Sequence, residues 1–353
     1  MEKPLHSKVG SAKVCIAAIR IGCRANHVKV RSMSNKNKII VVVGATGAQG
    51  GGLLRAILDD PQQQFQARAL TRNANSDKAQ ELAARGAEVA QADLDDLDSL
   101  KRAFKGAYGA FCVTNFWEHF SPQKELLQAR NLAQAASDAG LEHVIWSTLE
   151  DTRKWVPLSD DRMPRLMDNY KVPHFDAKGE ANHEFSDRGV PTTFLLTSFY
   201  WDNLISFGAE PKRGADGTLE FVLAMADKPL PGIASADIGK CALGIFRRGT
   251  EYVGKTVGIA GQHLTGEQMA ASLSKAFGEP VRYSPIEPDV YRALGFPGAE
   301  DLGNMYQFKR DFNDYFCGAR SIEVSRSLNP ALMTFDDWLA KHKDRIPVDK
   351  PAA

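Results

Sequence analysis

Short apolar runs recur along the first two thirds of the chain, and stretches with helical periodicity separate them. The run Lys38–Val43 is almost wholly β-branched, which is typical of a strand buried on both faces of a parallel sheet. Five further strands are predicted, over Phe65–Thr71, Ala87–Ala92, Gly109–Thr114, Glu142–Ser147 and Pro191–Thr197. The helices predicted between them are Leu53–Leu58, Ser76–Arg85, a helix capped by Asp95 or Asp96 and ending at Phe104, Ser121–Ala139 and Ala177–Arg188.

This alternation of strands and helices indicates right-handed βαβ units. We therefore predict an α/β fold, a Rossmann-type doubly wound parallel sheet over residues 38–203. After Asn203 the alternation weakens, and two helices stand out: Thr265–Phe277, with Thr265 as cap, and Thr334–Lys343. Residues 204–353 are predicted to form a smaller, mostly helical C-terminal cap that is interleaved with the first domain and closes one side of a crevice.

The composition of the 353 residues is that of a globular protein, with 43% apolar and 25% charged side chains. No apolar run approaches the ~20 residues of a membrane-spanning helix, so no membrane association is expected. The five cysteines are scattered and lack a C-x-x-C pair, so neither a disulfide framework nor a metal site is predicted. Cys112 is expected to be a small core residue.

Charge separates a basic leader from an acidic body. Residues 1–38 carry nine Lys or Arg and one acid, a net charge of +8, so the rest carries −7 because the total is +1. An acidic body predicts no nucleic-acid binding. The leader, residues 1–37, is open to two interpretations: an organelle transit peptide, or a start upstream of the true one at Met33. The first predicts a chloroplast or mitochondrial location, and the second a cytoplasmic one.

A glycine-rich turn follows the first strand. Gly44, Gly47 and Gly50 have the spacing G-x-x-G-x-x-G between a predicted strand and a predicted helix, with the turn expected over Gly44–Gly52. Glycines there allow a tight turn and let backbone N–H groups approach a pyrophosphate, whose charge is favoured at a helix N-terminus. The alternative, a merely tight strand–helix turn, is less favoured in this context. The turn therefore predicts a dinucleotide site.

The residues after the second strand distinguish the two nicotinamide cofactors. NAD-binding folds place an acid there to hold the ribose 2′-hydroxyl, but no acid lies between Asp60 and Asp77. Arg72 stands there instead, and its planar guanidinium suits a 2′-phosphate. The sequence therefore predicts NADP(H) rather than NAD(H).

Five segments resemble the NmrA-like family, whose members are atypical short-chain dehydrogenase/reductase-fold proteins. They are Val43–Gly51, Thr71–Asn73, Thr114–Glu118, Phe175–Glu180 and Leu294–Ala299. The resemblance extends from Lys38 to about Lys343 and implies NADP(H) binding. Typical members act as redox-responsive regulators, and a few are quinone reductases.

The resemblance also implies a set of cofactor contacts. At the pyrophosphate and 2′-phosphate these are Gly44, Ala45, Thr46, Gly47, Ala48, Gln49 and Arg72. At the adenine they are Asp93 and Leu94, and around the ribose and nicotinamide they are Thr114, Asn115, Phe116, Lys178, Tyr200 and Asn203.

The candidate catalytic residues are Ser147, His174 and Lys178. Reductases of this fold protonate the substrate with a tyrosine four residues before a lysine, and here that position is His174. A histidine could donate a proton near neutral pH. The favoured interpretation is that His174 only packs or caps a helix beginning near Asp176. Ser147 ends the fifth strand, where a substrate-orienting serine would stand.

Two functions therefore stay open. The missing tyrosine favours an NADP(H) sensor that regulates a protein partner, whereas Ser147 and the cap favour an NADPH-dependent reductase of a quinone or similar carbonyl compound. Catalytic activity and a homodimer are left undecided. The charged segment Asp151–Lys171 has few apolar residues, so we expect it to be poorly ordered until NADPH binds.

Overall fold

A computed structural model describes residues 38–348, so the predicted leader lies outside the described residues. The strands are β1 (Lys38–Val42), β2 (Phe65–Thr71), β3 (Glu88–Gln91), β4 (Gly109–Cys112), β5 (His143–Thr148), β6 (Thr192–Leu196), β7 (Phe199–Tyr200), β8 (Lys212–Arg213), β9 (Leu219–Leu223), β10 (Leu230–Ile233), β11 (Thr256–Gly258), β12 (Gln262–Leu264) and β13 (Val281–Pro285). The α-helices are α1 (Ala48–Leu58), α2 (Asp77–Ala84), α3 (Leu97–Phe104), α4 (Pro122–Asp138), α5 (Pro173–Glu180), α6 (Asn182–Ser186), α7 (Asn203–Ser206), α8 (Ser235–Arg247), α9 (Gly266–Phe277), α10 (Pro288–Arg292), α11 (Ala299–Asp311), α12 (Asn313–Gly318), α13 (Ile322–Leu328) and α14 (Phe335–His342).

The central sheet has seven parallel strands in the order β11-β6-β5-β4-β1-β2-β3. The chain adds strands on one side of β1 as far as β3 and then crosses to β4 on the other side. This reversal opens a crevice at the carboxyl ends of β1 and β4, where ligands bind in open α/β sheets. The predicted doubly wound parallel sheet is confirmed.

Both faces of the sheet are covered. On one face Leu53 and Ile57 of α1 pack with Ile238 of α8, and on the other Phe104 of α3 packs with Leu132 of α4. Each of these side chains is at least 95% buried. The two-sided burial explains why the strands read as continuous apolar runs.

The first helix begins earlier than predicted. It starts at Ala48 and contains Gly50 and Gly52, so the prediction of a turn as far as Gly52 is wrong. A Cβ on Gly50 would lie 2.4 Å from the carbonyl oxygen of Val43, and one on Gly52 would lie 3.2 Å from Cα of Ala236. These glycines therefore let α1 pack closely against β1 and α8, and only the turn before Ala48 faces the crevice.

Elsewhere the helix bounds are decided by local caps. Asp96, one of the two predicted caps, accepts hydrogen bonds from the first turn of α3. The side chains of Ser76 and Ser121 cap α2 and α4 in the same way. The helix predicted from Ala177 begins instead at Pro173, which is favoured in a first turn because it needs no N–H partner.

The second half of the chain adds strands as well as helices. One three-stranded sheet has the order β12-β10-β7 and another β13-β9-β8, and α9 to α14 surround them. The predicted cap Thr265 forms a capping box, and so does Thr334 at the start of α14. Between residues 38 and 348 no helix is long and apolar enough to span a membrane.

The segment 151–171 has anchoring contacts although few of its residues are apolar. The Asp176 carboxylate accepts from the backbone N–H and the hydroxyl of Thr152 (2.7 and 2.6 Å) and from the backbone N–H groups of Lys171 and Val172 (2.8 and 3.0 Å). Asn304 of α11 donates to the Lys171 carbonyl oxygen (2.5 Å). These bonds come from Asp176 and Asn304, which lie after the segment, so the apolar pattern of the segment could not show them.

Candidate functional site

The glycine turn presents backbone to the crevice. Gly44 has a φ of +65°, a conformation that favours glycine, and Gly47 is the N-cap of α1 without a side-chain cap bond. The first N–H groups of an 11-residue helix are thus left for a ligand. Thr46, Gly47 and Ala48 are exposed, whereas Ala45 is buried in the core.

A polar chain joins this turn to β5 and β7. Ser147 donates to Oε1 of Gln49 (2.8 Å), and Nε2 of Gln49 donates to the Tyr200 hydroxyl (2.6 Å). Burial raises the pKa of Tyr200 to about 12, although Thr197 and Gln49 bond its hydroxyl. Three residues expected at separate parts of the cofactor site therefore lie together, and Tyr200 is a weaker acid than an ordinary tyrosine. Asn203 begins α7 three residues later.

Arg72 extends from the end of β2 and is 69% exposed. Its guanidinium pairs with the carboxylate of Glu118, which lies in a 3₁₀ turn over Phe116–Glu118 after β4. No acid follows β2 in the sequence, but Glu118, from the loop after β4, lies beside Arg72 in the fold. Nothing in the local sequence around Arg72 predicts this pair.

The residues expected at the adenine follow β3. Asp93 is exposed, and its carboxylate accepts from the backbone N–H of Asp95 (2.9 Å). The carbonyl oxygen of Leu94 accepts from Asn131 of α4 (2.8 Å). The second bond fixes this loop against α4.

Lys178 lies in a buried charge cluster. Its ammonium donates to the carbonyl oxygen (3.0 Å) and hydroxyl (2.7 Å) of Thr114 and pairs with Glu125 of α4. Burial would raise the pKa of Glu125, but Lys178, His119 and Thr114 lower it to about 2. Glu125 is therefore ionised and holds Lys178 beside the loop after β4. Asn115, next to Thr114, is exposed and begins the 3₁₀ turn.

His174 does not cap the helix, so that part of the favoured interpretation is wrong. Its Nδ1 lies 2.6 Å from Oδ1 of Asp301, and its backbone N–H donates to Oδ2 of the same carboxylate (3.1 Å). The imidazole ring lies 4.7 Å from Trp117 and 6.1 Å from Phe116, between ring centroids. His174 thus packs as expected and also forms a buried pair with Asp301.

A cavity of about 500 Å³ opens beside this pair. Its wall combines three parts of the chain: the loop after β4, the segment 151–173, and residues 292–301 from the end of α10 to the start of α11. The lining residues are Phe116, Phe120, Leu166, Met167, Pro173, Arg292, Gly295, Phe296, Pro297, Gly298, Ala299, Glu300 and Asp301. Most of them are apolar, and Phe120, Met167 and Phe296 are also exposed to solvent. The cavity has the size and character of a small-molecule site.

The wall is held by one close contact. Gly298, with a φ of +88°, lies where an added Cβ would approach Trp117 to 2.8 Å. The Leu294–Ala299 motif therefore contacts the Thr114–Glu118 motif directly. Sequence reasoning missed Glu118, Glu125 and Asp301, although Glu118 and Asp301 lie within or just after quoted motifs. In the part of the chain that the structure describes, no group of His, Cys, Asp and Glu could hold a metal ion.

The sequence and the fold of this chain are similar to those of known proteins. The model of the NmrA-like family matches residues 36–339. This chain belongs to the NmrA-like family. One relative is the NmrA-like family domain-containing oxidoreductase himF of Aspergillus japonicus, with 33% identity over 83% of this chain and 90% of its own. Another is the oxidoreductase ptmS of Penicillium ochrochloron, with 26% identity over 88% of this chain and 99% of its own.

Solved structures share the fold of this NmrA-like protein. NmrA, a negative transcriptional regulator crystallised with NADP, has a TM-score of 0.70 at 24% identity and covers 86% of this chain and 94% of its own. The same regulator has also been crystallised with NAD. The triphenylmethane reductase of Citrobacter sp. in complex with NADP(H) has a TM-score of 0.66 at 20% identity, covering 86% and 99%.

Proposed function

We propose that this NmrA-like protein binds NADP(H) at the carboxyl edge of its central sheet. Two features support this: the open N-terminus of α1 suits a pyrophosphate, and Arg72 suits a 2′-phosphate. The crystallised complexes of NmrA and triphenylmethane reductase with NADP agree with it. The turn is exposed and has no side-chain cap, so its backbone N–H groups are accessible to the pyrophosphate.

We further propose that the protein is an NADPH-dependent reductase of a small apolar acceptor, a quinone or similar carbonyl compound. The observation that carries this proposal is the apolar cavity lined by Phe116, a residue that the family resemblance implies at the ribose and nicotinamide. NADPH supplies the hydride when bound. The cavity residues exclude water from the acceptor, and the relatives named oxidoreductases are consistent with this chemistry.

Three polar residues have roles in this proposal. Lys178, held by Thr114 and Glu125, supplies a positive charge toward the cofactor ribose. Ser147 and Gln49 form one hydrogen-bonded unit whose remaining donors and acceptors orient the nicotinamide end. Because each is fixed by a second residue, the site is preorganised before the ligands arrive.

The test is NADPH oxidation by the purified protein against a panel of quinones and aldehydes, beside a direct titration of cofactor binding. Met167→Trp places a larger ring at the cavity wall, at a side chain already 48% exposed. It should lower kcat/KM about tenfold or more and leave NADPH affinity unchanged. Tyr315→Trp, at an exposed residue outside the cavity lining, is the control. If none of the quinones and aldehydes in the panel is reduced, the reductase is refuted.

A second candidate is a redox sensor that binds NADPH without turnover and regulates a protein partner. The observation that favours it is the lack of a tyrosine four residues before Lys178. In that case the titration would show NADPH binding while every acceptor failed. The same pair of measurements therefore separates the two functions.

A further inference from the structure

His174 and Lys178 lie on the same side of α5, because residues four apart share a helix face. Both contact the loop that follows β4: Lys178 donates to Thr114, and the ring of His174 lies against Trp117. His174 therefore occupies, relative to Lys178, the position of the proton-donating tyrosine of related reductases. The question is whether its environment suits a proton donor.

Asp301 fixes the ring of His174. The 2.6 Å contact joins Nδ1 to Oδ1, and the bond from the His174 backbone to Oδ2 prevents the carboxylate from turning away. A carboxylate can only accept a hydrogen bond, so the bonded Nδ1 carries a proton. Nε2 makes no hydrogen bond to any residue between 38 and 348, so it is the nitrogen left for a ligand. Asp301 is thus a positioning residue.

Aromatic rings shield His174 from water next to the cavity wall. The side chain is 7% exposed, and the rings of Phe116, Trp117 and Phe175 lie within 6.1 Å of it, between centroids. Its chain neighbour Pro173 and its partner Asp301 both line the cavity. His174 is therefore linked to the cavity wall by its chain neighbour Pro173 and by its bond to Asp301.

From this geometry we infer that His174 is the proton donor for reduction of an aldehyde or ketone in the cavity. The carbonyl carbon accepts the hydride that NADPH supplies, while the carbonyl oxygen accepts the proton from Nε2. An alcohol, NADP⁺ and neutral His174 result, and His174 regains its proton from water after product release. The inference rests on the reductase proposed above. Tyr200, whose pKa burial raises, and which bonds Gln49, is the poorer donor.

The experiment compares two acceptor classes in one variant. Reduction of an aldehyde leaves an alkoxide that needs a proton at once, whereas a quinone accepts hydride with far less acid assistance. His174→Gln should therefore lower aldehyde turnover by about 10²-fold or more. Quinone turnover and NADPH affinity should change little. His183→Gln, at a half-exposed residue of α6, is the matched control.

Asp301→Asn tests the positioning role. It should lower aldehyde turnover less than His174→Gln does, because the ring keeps Nε2 and loses only the carboxylate that fixes its orientation. A readout independent of turnover is the proton NMR spectrum without cofactor. The wild type should show a downfield Nδ1 proton of His174 that disappears in Asp301→Asn.

The outcomes that would overturn the inference are distinct. An aldehyde turnover unchanged in His174→Gln, an equal loss with aldehydes and quinones, or a wild type that reduces quinones alone would each refute His174 as the donor. These results leave the reductase standing. Failure of the wild type with every acceptor would refute the reductase and this inference together.

Discussion

The carboxylate of Glu118, after β4, pairs with the guanidinium of Arg72, after β2. Both side chains are largely exposed, at 49% and 69%. Exposed ion pairs contribute at most about 1 kcal/mol to stability, so a 2′-phosphate can displace Glu118 at small cost. Arg72 is nevertheless held back from its proposed ligand until that exchange occurs.

This competition predicts opposite effects of two substitutions. The wild type should bind NADPH at least about tenfold more tightly than NADH, and Arg72→Glu should abolish that preference. Glu118→Gln should strengthen NADPH binding by up to about fivefold, because Arg72 is then free, without changing NADH binding. Titration calorimetry at low ionic strength measures both. Glu81→Gln, at an exposed acid of α2, is the control, and equal affinities for the two cofactors in the wild type would contradict the role of Arg72.

The Lys178–Glu125 pair predicts a separation of stability from binding. Lys178→Met leaves the fully buried Glu125 charge without its cation and should cost about 3–5 kcal/mol of unfolding free energy. Adding Glu125→Gln should recover most of that loss. Cofactor affinity should stay low in both variants, because the cation is absent from both. Denaturant unfolding and NADPH titration test this, and full recovery of affinity in the double variant would place Lys178 outside the cofactor site.

Asp176 should control access to the segment 151–171. An Asn amide cannot accept at both positions, so Asp176→Asn loses bonds to two of four donors and should open the segment. Trypsin should then cleave after Arg153, Lys154, Arg162, Arg165 or Lys171 much faster than in the wild type. The wild type should be cut slowly with or without NADPH. Asp168→Asn, at an exposed residue of the same segment, is the control, and fast wild-type cleavage that NADPH suppresses would restore cofactor-dependent ordering.

Lys309 predicts a pH dependence of stability. Its side chain is buried among the rings of Phe175, Tyr306 and Phe316, and among residues 38–348 its ammonium bonds only the Met305 sulfur (3.1 Å). Burial, and then the nearby Arg320, lower its pKa to about 7.

The unfolded chain therefore binds the Lys309 proton more tightly than the folded protein does. Stability should rise by about 1 kcal/mol per pH unit between about pH 7 and pH 10, and the penalty should be fully present below pH 7. Lys309→Met should raise the unfolding free energy most at neutral pH and remove this slope. Lys275→Met, at an exposed residue of α9, should do neither. Parallel slopes in wild type and Lys309→Met would contradict the prediction.

Local pattern was sufficient for most of the fold. The strands β1 to β6 lie within two residues of their predicted bounds. A strand that is buried on both faces has a nearly continuous run of apolar residues, which is visible in the sequence. The caps Asp96 and Thr265 were likewise recognisable, since a cap bonds backbone only two or three residues away. The glycine turn and Arg72 indicated the cofactor class for the same reason: each lies at the end of one predictable strand.

Tertiary structure alone decided how the site is assembled. Asp301 meets His174 across 127 residues, and Glu125 meets Lys178 across 53. The same holds for Glu118, which reaches Arg72 from 46 residues away. Such contacts depend on the order of the strands in the sheet and on the packing of α4 and α11. The sequence around a carboxylate does not indicate which residue it will pair with. The sequence by itself therefore determined the sheet, the glycine turn and the cofactor class. The charge pairs and the cavity were decided by the tertiary packing of segments that are far apart in the chain.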